Sequence, residues 1–327
     1  MRELSLVVPV YNEEESLTTL YDEIVAVAQT LDAEIELIFV DDGSTDSSWA
    51  IIAALAERDP RVLGVRFRRN FGKADALDVG FRTATKPIVM TLDADLQDDP
   101  KEIPDFLKLL DSGYDVVSGW KKKRHDPWHK VLPSRVFNAM VSRLTGVKLH
   151  DHNCGMKCYR REIFDEITLY GELHRFVPAL AAARGFKVGE KVVEHRARKF
   201  GVSKYGFNRF IKGFLDLLTV KFVTSYGQRP QHLLGTIGLT SFAVGAVTMC
   251  WMAFHWILAR IPCLGLAEYH LGGRPAVVYS AALLLLGAQF LSVGVVAELV
   301  VSYQNRKGRE YSIKERIGGK KEADADK

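Results

Sequence analysis

The sequence predicts an α/β domain with a doubly wound, mostly parallel sheet, followed by an interfacial helix and a two-helix transmembrane hairpin. Three observations carry this. Short apolar β-rich runs alternate with helix-period segments from Leu4 to Ser118, joined by the short links of right-handed crossovers. The strand runs are apolar on nearly every residue, as in a sheet covered on both faces. Two apolar stretches, 232–258 and 276–301, each exceed the roughly 20 residues that cross a bilayer.

The elements follow in order. Residues 4–8 form a short strand ended by Pro9. Asn12 is placed to cap a helix whose first turn holds Glu13, Glu14 and Glu15. That helix repeats Leu17, Leu20, Ile24, Val27 and Leu31 at helical spacing. A second strand, 35–40, stops at Asp41-Asp42-Gly43-Ser44, and a helix follows through Trp49, Ile52 and Leu55. Strand 62–67 and helix 73–83 come next. Strand 88–92 runs into Asp93-Ala94-Asp95-Leu96-Gln97, and helix 104–110 and strand 114–118 complete the pattern.

Ligands of such sheets sit beyond the carboxyl ends of the strands. Tyr11-Asn12-Glu13, Asp41-Asp42-Gly43 and Asp93-Ala94-Asp95 all fall there, which points to one shared pocket. In an extended chain residues i and i+2 face the same way, so Asp93 and Asp95 converge on one hard cation, with Gln97 nearby. Mg²⁺ or Mn²⁺ suits such oxygen ligands and shares them with substrate phosphates. The glycine-free turn Pro9-Val10-Tyr11-Asn12-Glu13 excludes a nicotinamide-binding G-x-G-x-x-G.

A net charge of +4 over 327 residues is too mild for a nucleic-acid partner. The charge is uneven, however: a basic stretch between Gly185 and Pro230, including Arg196, Arg198, Lys199 and Lys204, precedes the apolar region. It reads as a surface facing anionic headgroups or phosphates. Four cysteines give no disulfide framework. His150, His152, Cys154 and Cys158 lack the spacing of a zinc finger or ribbon, so the thiols read as buried and reduced. The N-terminus runs directly into a strand, without a signal peptide.

From 206 to 226, Phe207, Phe210, Ile211, Phe214, Leu215, Leu218 and Phe222 fall on one side and Arg209, Lys212 and Lys221 elsewhere, as in a basic amphipathic helix at a membrane interface. The domains expected are a catalytic domain over 1–205, the interfacial region 206–231, spans at about 232–259 and 276–302 within 232–303, and a basic, disordered tail over 304–327. The basic stretch before the hairpin and Arg306-Lys307-Gly308-Arg309 after it place both ends in the cytoplasm. This predicts a multi-pass protein of the cell's inner, cytoplasmic membrane. Gly235, Gly238, Ala243 and Gly245 form a small-residue pattern that packs helices and points to a homo-oligomer.

Together Val7-Val8-Pro9-Val10-Tyr11-Asn12-Glu13-Glu14, Val40-Asp41-Asp42-Gly43-Ser44, Arg69-Asn70-Phe71-Gly72-Lys73 and Asp93-Ala94-Asp95-Leu96-Gln97-Asp98 resemble the family 2 glycosyltransferases of the GT-A fold. Within that family the chain is most similar to the polyprenyl-phosphate glycosyltransferases, over about residues 3–230. The resemblance implies a nucleotide-sugar donor (UDP- or GDP-linked), a polyprenyl (undecaprenyl or dolichyl) phosphate acceptor and Mg²⁺ or Mn²⁺. It assigns Pro9, Tyr11, Glu13, Asp42, Lys73 and Asp93 to the donor, and Asp93, Asp95 and Gln97 to the metal. Arg198-Lys199-Phe200-Gly201-Val202-Ser203-Lys204 is similar to the family's R-x-x-G-x-S-K motif, so Arg198 and Lys204 join Asp93 and Asp95 as catalytic residues. Lys121, Lys123, Arg124, Ser134 and Arg135 match the acceptor-phosphate region. Lys157 stands in Cys154-Gly155-Met156-Lys157, where relatives have an arginine, and brings charge without a bidentate fork. The alternatives of another membrane acceptor, or a silent nucleotide-sugar-binding module, are weighed against the intact carboxylates at 93 and 95. A processive synthase lacks support because no Gln-x-x-Arg-Trp occurs.

Overall fold

The computed structural model describes residues 2–31, 33–122, 128–167, 173–196, 208–226, 229–261, 270 and 274–305. The chain divides into two compact units, one running to Val220 and the other starting at Lys221.

The first unit is built on seven strands: β1 (Arg2–Val10), β2 (Ala33–Asp41), β3 (Val62–Arg66), β4 (Ile88–Thr91), β5 (Val116–Trp120), β6 (Lys157–Arg160) and β7 (Val188–Val192). Their order across the sheet is β3-β2-β1-β4-β6-β5-β7. All pairs are parallel except those of β6, which runs antiparallel to both β4 and β5. Side chains alternate along each strand, so β1 sends Leu4, Leu6, Val8 and Val10 to one face and Val7 to the other. On the first face lie α1 (Leu17–Thr30), α2 (Ser48–Arg58) and α4 (Ile103–Asp111). On the second lie α3 (Lys73–Thr83), α5 (Trp128–Thr145), α6 (Ile163–Glu166), α7 (Val177–Ala183) and α8 (Asn208–Tyr226). Ile103, Phe106, Leu107 and Leu110 of α4 are fully buried, each contributing about 1.5–3 kcal/mol of hydrophobic stabilisation.

Several local expectations are corrected. Pro9 does not end β1, which continues to Val10 in register with Asp41. The β4 pairing has already stopped at Val7–Thr91, so the N–H that Pro9 lacks has no ladder partner to lose. Asn12 does not cap α1. It sits at φ 54°, a left-handed conformation that Asn tolerates, and the helix starts four residues later behind Ser16. On α8 the apolar residues are divided between core and solvent where their side chains are described. Gly213, Leu217 and Val220 are buried, the last two in the core beside Val141 and Phe176, whereas Leu215 and Leu218 are 56% and 46% exposed.

The second unit is a hairpin of α9 (Pro230–Ala259) and α10 (Pro275–Asn305). Both carry apolar stretches, of 30 and 27 residues, about 45 and 40 Å long, enough to cross the roughly 30 Å hydrocarbon layer. Glycines let the two backbones touch. A Cβ on Gly238 would stand 2.8 Å from the Gly287 carbonyl oxygen, and one on Gly245 2.8 Å from that of Ser280. Gly238 and Gly245, two of the four small residues that suggested an oligomer, thus serve contacts within one chain. Glu298 accepts the N–H of Gln231 at 3.3 Å, placing a carboxylate at the positive N-terminus of α9.

Candidate active site

β1, β2 and β4 end side by side in parallel, so the loops after them share one edge of the sheet. The first two are laced together. Asn12 donates its N–H to Ser44 Oγ at 3.0 Å and accepts the Thr45 N–H at 2.8 Å, and Glu13 donates its N–H to Ser48 Oγ at 2.9 Å. Pro9, Tyr11 and Glu13 are half-buried along this seam.

The adjacent acids Asp41 and Asp42 face different ways, as neighbours at a strand end do. Asp41 is fully buried, accepts the Ser44 N–H at 3.0 Å and pairs with Arg66 at 3.2 Å. Asp42 turns toward the loop after β3 and accepts the N–H groups of Phe71 at 2.7 Å and Gly72 at 3.0 Å. Burial raises the pKa of Asp42 above the usual carboxylate value, with those two N–H groups opposing it. Gly43 is needed where the loops meet: at φ +69° its Cβ would lie 2.4 Å from the Arg69 carbonyl carbon.

Gly72, at φ +112°, then starts α3 with Lys73, whose ammonium pairs with Asp93 Oδ1. The other side of the Asp93 carboxylate rests on Gly155, where a Cβ would stand 2.4 Å from Oδ2. Thr91 Oγ1 donates to the Gly155 carbonyl at 2.6 Å and holds that backbone in place. Burial would raise the Asp93 pKa, but Lys73, Lys121 and Lys157 together hold it below the usual value.

The D-x-D segment is not extended, as the sequence argument assumed. β4 stops at Thr91 and the chain turns at Ala94–Asp95, with Leu96 at φ 59° and its side chain buried. Asp95 is half-buried and accepts the Gln97 N–H at 3.2 Å. Gln97 accepts the Arg196 N–H at 3.0 Å, and the Arg196 guanidinium bridges Glu23 at 2.7 Å and Asp99 at 2.6 Å. The chain leaves the described residues at Arg196, beside the acidic turn. Arg198, Lys204, Lys123 and Arg124 lie outside the described residues.

Two lysines expected on an acceptor phosphate have interior partners instead. Lys121 pairs with Asp98 at 2.8 Å, the two side chains being 13% and 1% exposed. Burial works against its charge, yet Asp98 and Asp93 hold the pKa above the usual lysine value. Lys157 is buried and donates to the His152 carbonyl at 3.0 Å, and burial pushes its pKa down to about 8. Both reach the acidic turn through their field. Ser134 is half-buried and Arg135 exposed on α5. Gly155, Asp98 and Arg196 lie within stretches the sequence singles out, but their individual contacts, to Asp93, Lys121 and Glu23 with Asp99, could not be read there because the partners are distant in the chain.

Asp93, Asp95 and Gln97 offer hard oxygen atoms suited to Mg²⁺ or Mn²⁺, and an ammonium already resting on Asp93 marks where positive charge belongs. Among the described residues no three His, Cys, Asp or Glu side chains gather as a complete metal cage. A divalent ion held by Asp93 and Asp95 would need further oxygen ligands, which Gln97, water or ligand phosphates would supply. Zinc at the His/Cys segment has no support: His150 stacks on Trp120 at 3.9 Å and pairs with Glu190 at 2.7 Å. Burial pushes the Cys154 thiol up to about 12, away from the thiolate that zinc requires.

Comparison with known proteins matches residues 5–168 to the family model described as Glycosyl transferase family 2. The dodecaprenyl-phosphate galacturonate synthase of Rhizobium johnstonii is 38% identical over 304 residues, covering 91% of this chain and 87% of that protein. The undecaprenyl-phosphate 4-deoxy-4-formamido-L-arabinose transferase of Sodalis glossinidius is 35% identical over 298 residues, covering 91% and 88%. A crystal structure of glucosyl-3-phosphoglycerate synthase from Mycobacterium tuberculosis with Mn²⁺, UDP and phosphoglyceric acid superposes with a TM-score of 0.53 at 18% identity. It covers 68% of this chain and 78% of that one, a likeness of fold.

Proposed function

This chain belongs to glycosyl transferase family 2, and on that premise we propose that it moves one sugar from a nucleotide-sugar donor to a polyprenyl phosphate at a membrane surface. The observation that carries the reading is the likeness to two polyprenyl-phosphate sugar transferases along nearly their whole length, in a chain whose last unit is an apolar hairpin.

The chemistry asks for positioning and charge more than for a base. A lipid phosphate is already an anion near neutral pH. Its oxygen forms the new bond to the anomeric carbon as the bond to the nucleoside diphosphate breaks, and the configuration inverts. The diphosphate leaves with the electron pair, and no proton has to move. A divalent ion held by Asp93, Asp95 and Gln97 would offset the negative charge gathering on the leaving group. The seam at Pro9, Tyr11 and Glu13 lines the donor, and Asp42 shapes it by fastening the Phe71–Gly72 backbone. Arg198 and Lys204 hold phosphate on a segment that starts beside the acidic turn. Lys123, Arg124, Ser134 and Arg135 receive the acceptor phosphate. Lys121 and Lys157, committed to Asp98 and the His152 carbonyl, support it through the field.

In this reading the hairpin spans the cytoplasmic membrane twice and the catalytic unit faces the cytoplasm, where Arg306, Lys307 and Arg309 satisfy the positive-inside rule. Exposed Leu215 and Leu218 on α8 meet the headgroup layer. The test is sugar transfer by purified protein to undecaprenyl phosphate with Mg²⁺ or Mn²⁺. The donors are UDP-galacturonate, UDP-4-deoxy-4-formamido-L-arabinose, UDP-glucose and GDP-mannose, with Asp95→Ala beside the wild type. A lipid product from one donor, lost in the variant, supports the reading. Absence of lipid product from every donor, with nucleotide binding intact, refutes this acceptor.

A further inference from the structure

We propose that Lys73 is a built-in counter-ion which a divalent cation must displace from Asp93, so that the protein resists metal alone and takes it up together with a nucleotide diphosphate. The inference rests on the reading of a metal-assisted donor site and concerns how that site is loaded.

The geometry leaves Asp93 little freedom. One carboxylate oxygen carries the Lys73 ammonium, and the other lies where Gly155 has no side chain. A cation that uses this carboxylate therefore competes with the Lys73 ammonium for it. Two further lysines add to the field at Asp93, namely Lys121 and Lys157. Each is tied down in the interior, on Asp98 and on the His152 carbonyl. Lys73 differs from them. Its side chain is 33% exposed, and it stands at the first residue of α3, after a glycine at φ +112°. It can swing away while the other two stay.

The charges give the reason for coupling. Lys73, Lys121 and Lys157 already supply positive charge to Asp93 before any ligand arrives. A divalent ion alone adds its charge to these three cations and costs Lys73 its pair with Asp93. A nucleoside diphosphate supplies the missing negative charge and a new partner for Lys73. The free energy released by that exchange appears as mutual tightening of metal and nucleotide, which linkage makes reciprocal.

The test is Mn²⁺ binding, read from the electron paramagnetic resonance signal of free Mn²⁺, on the full-length detergent-solubilised protein. Wild type, Lys73→Met and Asp93→Asn are titrated alone, with UDP and with GDP. Without nucleotide, Lys73→Met is expected to bind Mn²⁺ about two- to fivefold tighter than wild type, the value of one partly exposed ion pair. The added tightening by nucleotide is expected to shrink in Lys73→Met. Lys73→Gln, which keeps a polar end without charge, moves in the same direction and serves if the Met variant does not fold. Mn²⁺ affinity without nucleotide that is unchanged or weaker in the folded Lys73 variant overturns the proposal, as does an Asp93→Asn protein that binds Mn²⁺ like wild type. Neither readout involves the lipid acceptor, so failure of sugar transfer to polyprenyl phosphate would leave this inference standing, and the converse holds.

Discussion

Gly155→Ala tests whether the position of Asp93 is set from across the sheet. The glycine follows the buried Cys154, and an added Cβ would lie 2.4 Å from Asp93 Oδ2, 2.5 Å from Cγ and 2.7 Å from Oδ1. Carbon and oxygen in contact need roughly 3.2 Å, because closer approach climbs the repulsive wall. The carboxylate must therefore shift by about 0.8 Å, beyond the roughly 0.5 Å within which a functional constellation tolerates error. Relief on the Gly155 side is limited, since its carbonyl accepts the Thr91 hydroxyl at 2.6 Å. Relief on the other side pushes Asp93 into Lys73. The overpacking should cost about 1–3 kcal/mol of stability, and the misplaced carboxylate should lower the transfer rate by about 10–100-fold. Transfer of labelled sugar to polyprenyl phosphate measures the rate, and thermal melting in the same detergent separates the stability loss. A Gly155→Ala protein with wild-type rate and wild-type Mn²⁺ affinity would refute the claim that this contact positions Asp93.

Three further outcomes follow from the same packing. Lys121→Met strands Asp98, only 1% exposed, and should destabilise the catalytic unit by about 3–5 kcal/mol, with Asp98→Asn added to it recovering much of the loss in thermal melts. His152 is fully buried, and burial first and Lys157 second push its pKa down to about 4. The unfolded chain therefore binds a proton that the folded state refuses, and stability should fall as pH drops from about 6.5 to about 4, by about 2 kcal/mol between pH 7 and pH 5. Denaturant midpoints at both pH values, with His152→Asn flattening the difference, check the sign. Gly238→Leu places side-chain atoms where the Gly287 carbonyl stands 2.8 Å from a Cβ. It should therefore open the hairpin, read as lost disulfide formation between cysteines introduced at Leu234 and Gly294.

The sequence by itself determined the doubly wound sheet, the edge at which the acidic clusters gather and the two long apolar helices. Each follows from a local rule. A strand apolar on both sides must be covered on both sides, parallel strands end at one edge, and a 30-residue helix of mean hydropathy 1.7 finds no better solvent than lipid or a protein core. The positions of Asp93, Asp95, Asp42 and Lys73 at that edge were legible for the same reason. Tertiary structure alone decided which partner each group takes. It inserted β6 against the general direction, between β4 and β5, and so brought Gly155 to Asp93. It sent Asp41 inward and Asp42 to a loop, turned Lys121 and Lys157 from presumed phosphate ligands into interior cations, and spent the hairpin's glycines on its own second helix. Periodicity encodes which side of an element is buried, since that depends on neighbours a few residues away. Which atoms meet between different elements depends on the packing of the whole domain, and no local pattern records it.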